Sequence, residues 1–125
     1  KHLKEKLPDG WEVLALGTNA SATSAMIAAG AESGATGEGA LVWNSLRCAA
    51  LCGPIGIVLA NALMGEVTPR MAEAVASSPA EKFLVPVSAC GVQVAGVREA
   101  KIPELVDEVV ERVLAWARDP RESQL

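Results

Sequence analysis

Two polar segments of the chain combine glycine with hydrogen-bonding side chains directly after apolar runs. Residues 17–21 read Gly-Thr-Asn-Ala-Ser, and residues 53–56 read Gly-Pro-Ile-Gly. Where a strand of an open α/β sheet passes into a helix, free backbone N–H groups and the helix dipole favour an anion, commonly phosphate. We therefore predict ligand binding here, although ordinary turns and helix caps explain the same pattern. The predicted ligand-binding residues are Gly17, Thr18, Asn19, Ser21, Gly53, Ile55 and Gly56.

Two carboxylates, Glu38 and Glu66, lie in polar turns and are the acidic residues placed to meet a sugar hydroxyl or to act as a base. The glycine-rich segment 34–39 around Glu38 does not match G-x-G-x-x-G. A flap over the site or a simple connector is the expectation for that segment. For Glu66 the favoured alternative is stabilisation of a helix amino end, with Arg70 as a solvated charge.

The other reactive side chains do not form a recognisable catalytic or metal-binding set. His2, the sole histidine, is far in sequence from both glycine turns, so a Ser-His-Asp or Cys-His device is not expected. Cys48 and Cys52 lack the partners of a zinc site and are interpreted as core residues, while a reactive thiol at Cys90 is a less favoured alternative. No P-loop sequence is present. Catalytic residues and metal ligands are therefore not assigned, and enzymatic activity is an open question.

The composition is that of one small domain with a sizeable core. The chain has 125 residues, of which 50% are hydrophobic, and its net charge is -4. Scattered basic residues argue against nucleic-acid binding. No apolar run approaches the roughly 20 residues that span a bilayer, and three cysteines give no reason for disulfides. We expect a soluble, cytoplasmic protein.

Short apolar runs alternate with helical patterns, which predicts an α/β fold. We expect strands at Trp11–Leu16, Cys48–Cys52, Lys82–Val87 and Val92–Val97, the last two as neighbours and a candidate hairpin. The expected architecture is Rossmann-like, with three layers and a mostly parallel sheet. An amphipathic helix from Pro103, whose apolar stripe contains Ile102, Leu105, Val109, Val113 and Trp116, completes it.

The remaining elements follow from turn and capping residues. Thr18, Asn19 and Ser21 can each cap a helix that ends at Gly30. Residues 31–39 are expected to be a loop, and residues 40–44 a strand or, preferably, a short helix capped by Thr36. A helix is expected over Ile57–Met64, and another after the Thr68 cap with Pro69 at its first position.

Four blocks carry a resemblance to a known family: LGTNASATSAMIAAGA, GATGEGALVWNS, CGPIGIVLANALMGEVTPRMAEAVASS and LVPVSACGVQVAGV. Together they resemble an uncharacterised family of short bacterial proteins known only as a domain of unknown function. The resemblance covers nearly the whole chain and implies no activity. It does imply an additional first strand and a glycine-rich, dinucleotide-like turn, with residues 1–6 as the tail of the following helix.

The leading hypothesis is a Rossmann-like domain that binds a phosphate-bearing small molecule, with a nucleotide as the candidate cofactor. The rival is a non-catalytic structural or regulatory subunit. Its basis is the lack of a nucleophile–base pair and an apolar fraction that leaves surface for a partner chain. A homo-oligomer is expected, without a nucleic-acid or membrane partner.

Overall fold

The computed structural model describes residues 1–87, 91–97 and 100–118. Over these residues it is a mixed α/β structure with five α-helices and two parallel two-stranded sheets. In chain order the elements are α1 (His2–Lys6), β1 (Leu14–Gly17), α2 (Ala20–Ala28), β2 (Ser33–Thr36), α3 (Glu38–Ser45), β3 (Ala50–Pro54), a 3-10 turn (Ile55–Val58), α4 (Pro69–Ser77), β4 (Glu81–Val85) and α5 (Ile102–Arg118).

In the first sheet, β1 pairs in parallel with β2, and α2 forms the crossover between them. Asn19 begins α2, because its Oδ1 accepts the N–H of Ala22 at 2.8 Å. The helix lies close on the sheet, where the Thr23 and Thr36 hydroxyls are 2.8 Å apart. A Cβ on Gly17 would be 2.1 Å from Thr23 Oγ1, so this contact requires glycine.

The second sheet, β3 paired in parallel with β4, carries the main core. Amphipathic α4 packs against α3 and the 3-10 turn and contributes to this core, with Val75 only 1% exposed. The hydroxyl of the fully buried Ser45 donates to the Val42 carbonyl at 2.9 Å, and the Ser45 carbonyl accepts the Ser78 hydroxyl. The core cluster comprises Leu41, Leu51, Ala62, Val67, Met71, Ala72, Val75 and Ala80.

The last helix, α5, packs on β4 through an aromatic contact. Trp116 meets Phe83 and Trp11 edge-on, with ring centroids 5.7 and 5.5 Å away. The predicted apolar stripe is confirmed at Val113 and Trp116, which are buried, but Ile102 at the other end is 59% exposed.

The sequence predicted the α/β class, the parallel direction of the strands and most helices correctly. The expected neighbours 82–87 and 92–97 do not form a hairpin, because β4 pairs with β3 and residues 92–97 are not a strand. The helix over residues 40–44 and the Thr68–Pro69 start of α4 are confirmed. Thr36 does not cap α3, because its hydroxyl bonds to Thr23 and Gly37 occupies the cap position. The expected Rossmann-like fold, with three layers around one sheet, is not confirmed, because the described strands form two separate two-stranded sheets.

Three predictions about local structure were wrong. The expected loop 31–39 contains β2, whose small residues form a strand because β1 is beside them. The expected helix 57–64 is replaced by the 3-10 turn and a loop with left-handed backbone at Asn61, Leu63 and Met64. The expected strand 92–97 is irregular: Gly91 and Gly96 have positive φ. The predicted turn residues 88–90, including Cys90, lie outside the described residues.

None of the helices in the described part of the chain combines the length and the apolarity needed to cross a membrane.

Replacing Gly17 by alanine should destabilise the protein by about 1–3 kcal/mol, because the new Cβ would overpack the backbone and hydroxyl of Thr23. Urea denaturation measures the change. Gly39, inside α3 with no atom near its Cβ position, provides the matched control. Gly39→Ala should stabilise by about 0.4–1 kcal/mol; equal effects of both substitutions would contradict the packing described.

Replacing Met64 by glycine should stabilise the fold by up to about 1 kcal/mol, because Met64 is fully exposed and has φ 56°. The control is Ala115→Gly in α5, an exposed helical position where glycine should destabilise by about 1 kcal/mol. Thermal unfolding followed by circular dichroism distinguishes the two signs. A loss of stability in Met64→Gly would show that the side chain makes a contact absent from this structure.

Candidate functional site

A carboxylate joins two turns that are distant in sequence. Glu66 accepts the Thr18 hydroxyl at 3.2 Å through Oε2 and the Asn19 amide at 3.1 Å through Oε1. Thr18 and Asn19 follow β1 directly, whereas Glu66 precedes α4. The end of β1 and the loop after β3 therefore share one polar edge.

A second carboxylate, Glu38, is bound by the start of α4. The Thr68 hydroxyl donates to Glu38 Oε1 at 2.5 Å and accepts the Met71 N–H at 3.2 Å. Arg70 Nη1 is 3.8 Å from the other oxygen of Glu38, but this pair is largely solvated. Glu38 is thus fixed mainly by Thr68, which sequence reasoning had assigned only as a helix cap.

These contacts form what we call the carboxylate rim: Thr18, Asn19, Glu38, Glu66, Thr68 and Arg70. The rim lies at the amino ends of three helices, α2, α3 and α4, and at the carboxyl ends of β1 and β2. The Gly37 N–H donates to the Gly17 carbonyl at 2.9 Å, which holds the two strand ends together. Negative side chains are stabilised at helix amino ends, so both glutamates suit this place electrostatically.

The amino end of α2, next to Glu66, has hydrogen-bond donors that the helix itself does not use. The Asn19 side chain and carbonyl accept the N–H groups of Ala22 and Thr23. Ala20 and Ser21 are the first two helical residues, so their N–H groups have no partner within the helix. The Ser21 side chain is exposed. Two amides and a hydroxyl can therefore bind an anion beside the rim.

The predicted glycines have packing partners. Gly17 is buried beneath Thr23, and a Cβ on Gly53 would be 3.1 Å from Ile57 Cδ1. Gly56 is buried in the 3-10 turn against Ala62, and Ile55 begins that turn. The structure thus brings together Thr18, Asn19 and Glu66. No hydrogen bond joins residues 53–56 to that group within the described part of the chain.

An apolar groove of about 330 Å³ lies at the other sheet, away from these polar contacts. Its walls come from β3, β4, α5 and Leu3 of α1, and they contain no charged side chain. Gly53 opens onto it. The lining residues are Leu3, Cys52, Gly53, Pro54, Val85, Val87, Ile102, Val106, Val109 and Val110.

Both described cysteines are free and have raised pKa values. Loss of solvation among apolar neighbours, with a smaller effect of nearby Cys48, raises the pKa of Cys52 to about 11, although part of the side chain is exposed. Partial burial likewise raises the pKa of Cys48. The interpretation of Cys48 as a core residue fits its half-buried position, whereas Cys52 lines the groove instead.

The raised pKa predicts that Cys52 alkylates slowly at pH 8 despite its exposure, since the thiolate is the nucleophile. Its rate with iodoacetamide should continue to rise up to about pH 11. Site-resolved mass spectrometry measures it, with the urea-unfolded chain as the control. Equal rates in folded and unfolded protein at pH 8 would contradict the prediction.

Comparison with known proteins supplies a family but no activity. No curated protein and no solved structure matched the chain. The predicted membership of an uncharacterised family is confirmed, because a family model covers nearly the whole chain. That model, described as Domain of unknown function (DUF3842), matches residues 1–118, and the chain belongs to this family.

Proposed function

We propose that the protein binds a phosphate-bearing small molecule, with a nucleotide as the simplest case, at the carboxylate rim. The observation that carries the proposal is the pair of hydrogen bonds from Thr18 and Asn19 to Glu66. These bonds place the amino end of α2, which can bind an anion, next to the carboxylate of Glu66, which can bind hydroxyl groups. A sugar phosphate presents both groups within a short distance.

The phosphate is assigned to the start of α2. There the N–H groups of Ala20 and Ser21 and the Ser21 hydroxyl can donate to its oxygens. Phosphate oxygens are acceptors, so this end of the ligand must avoid the carboxylates. The side chain of Asn19 is committed to the cap and to Glu66, and it positions the site instead of contacting the phosphate.

The sugar is assigned to Glu66 and, with less support, to Glu38. Glu66 accepts two hydrogen bonds, and an ionised carboxylate has room for about four, so sugar hydroxyls can donate to the remaining positions. Glu38 is half-buried and already bound by Thr68. The ligand-binding roles expected of Gly17, Gly53, Ile55 and Gly56 stay predictions.

The test is a thermal-shift screen of the chain with nucleoside mono-, di- and triphosphates, dinucleotides and phosphorylated sugars. A ligand present at a hundred times its Kd should raise stability by about 2.7 kcal/mol. Glu66→Gln should weaken that ligand about tenfold, because hydrogen bonds to charged groups contribute about 1.5–3 kcal/mol. Calorimetric titration gives the Kd of each variant.

Matched variants separate binding from folding. Glu73→Gln removes an exposed carboxylate of α4 outside the rim and should leave the Kd unchanged. Asn19→Leu should abolish binding, while Asn19→Ser, which retains a capping oxygen, tests whether the amide contact with Glu66 is needed. Full affinity in Glu66→Gln would place the ligand elsewhere. No shift across the panel would reject the proposal, and silence together with a large dimer interface would favour the alternative of a non-catalytic structural or regulatory subunit.

A further inference from the structure

Helix α2 exposes an uncharged side to solvent. Only Thr23 among its nine residues is buried. Ser24, Ile27 and Ala28 are exposed, with Ile27 44% accessible. No charged residue occurs between Glu12 and Glu32. A surface helix ordinarily has a charged outer side, which α2 lacks.

The strand beside it, β2, is equally unprotected. Ser33, Gly34 and Thr36 are exposed, whereas β1 contains the buried residues Ala15 and Gly17. Glu32 N–H donates to Val13, so alternation along the strand points the N–H groups of Ser33 and Ala35 away from β1. Exposed strand edges are normally guarded by charges or proline because they pair with other strands. β2 has neither.

The α2 side and the β2 edge are continuous. Ile27 Cδ1 lies over Gly34, at 2.8 Å from where a Cβ would be. We define the α2–β2 face as Ser24, Ile27 and Ala28 together with residues 33–36. The neighbouring carboxylate, Glu32, forms an ion pair with Lys4.

Strand β4 and helices α4 and α5 show the contrast. Strand β4 contains Glu81 and Lys82 and is followed by Pro86, and α4 presents Arg70 and Glu73. The outer side of α5 is strongly charged, with Glu104, Asp107, Glu108, Glu111, Arg112 and Arg118 exposed. Charged side chains or proline thus protect these elements from pairing with another chain, whereas the α2–β2 face has no such protection.

We propose that the α2–β2 face is where a second copy of this chain binds, through antiparallel pairing of β2 with its counterpart about a two-fold axis. A two-fold interface brings each surface against itself, so its charges must not repel. Each copy carries a net charge of -4, and an uncharged face is where two copies can approach most closely. The strand edge offers donors and acceptors to an identical edge.

The α2–β2 face is small, and its size limits the expected affinity of the dimer. Nine helical residues and four strand residues each extend only about 13 Å. A patch about 13 Å on a side has an area of roughly 200 Å², which is much less than the roughly 800 Å² that each partner buries in a standard complex. We therefore expect a concentration-dependent dimer in the micromolar range rather than a permanent one.

Sedimentation velocity of residues 1–125 over a range from about 1 µM to 1 mM tests the proposal. The sedimentation coefficient should rise from the monomer to the dimer value. Ala28→Lys, which places like charges across the axis, and Ser33→Lys, which guards the strand edge, should each weaken the dimer at least tenfold. Both substitutions are at exposed positions, and lysine suits the carboxyl end of α2.

Ala115→Lys is the matched control, since Ala115 is an exposed alanine of α5 outside the face. It should dimerise like the parent chain. Circular dichroism of every variant confirms that the fold is retained. A parent chain that remains monomeric at 1 mM overturns the proposal, as does a dimer of unchanged strength in either Ala28→Lys or Ser33→Lys.

Discussion

The close approach of α2 to its sheet determines how the first half of the chain is arranged. Thr23 sits where a side chain at residue 17 would be, and Ile27 and Thr23 occupy the space above Gly34. With larger residues at these two positions the helix would stand further from the strands. Asn19 would then move with the start of α2, and its contact with Glu66 depends on that position. Glycine at these sites therefore serves packing first.

The compact loop that holds Glu66 at the rim contains residues with an unfavourable backbone conformation. Left-handed conformations cost about 1–2 kcal/mol per residue for side chains other than glycine, and Asn61, Leu63 and Met64 adopt them. Burial of Ala62 and Val67, with the Asn61 N–H donating to the Val67 carbonyl at 2.7 Å, offsets that cost. Local strain of this kind persists where surrounding contacts impose it, often at functional sites.

Sequence patterns predicted those parts of the structure that depend on neighbouring residues. The Asn19 and Thr68 caps and the amphipathic α5 follow from side chains within one or two turns. Strand β2 could not be found this way, because Ser-Gly-Ala-Thr has little strand preference and its pairing with β1 is tertiary. The loop after the 3-10 turn was not predicted for the same reason: the apolar residues 57–64 fit a helix locally, and the contacts that impose the loop are tertiary.

In the candidate site, too, the sequence predicts the residue types, whereas the contacts between them depend on the tertiary fold. Glu66 and Asn19 were chosen as polar residues in turns, yet their direct contact spans 47 positions of sequence and rests on the fold. The two proposals also meet in α2, whose amino end belongs to the rim and whose side belongs to the α2–β2 face. A partner packed along α2 would reduce fraying of a short helix that has few buried residues. Since the same helix presents Ala20 and Ser21, dimerisation should favour anion binding, and by linkage a bound anion should favour dimerisation equally.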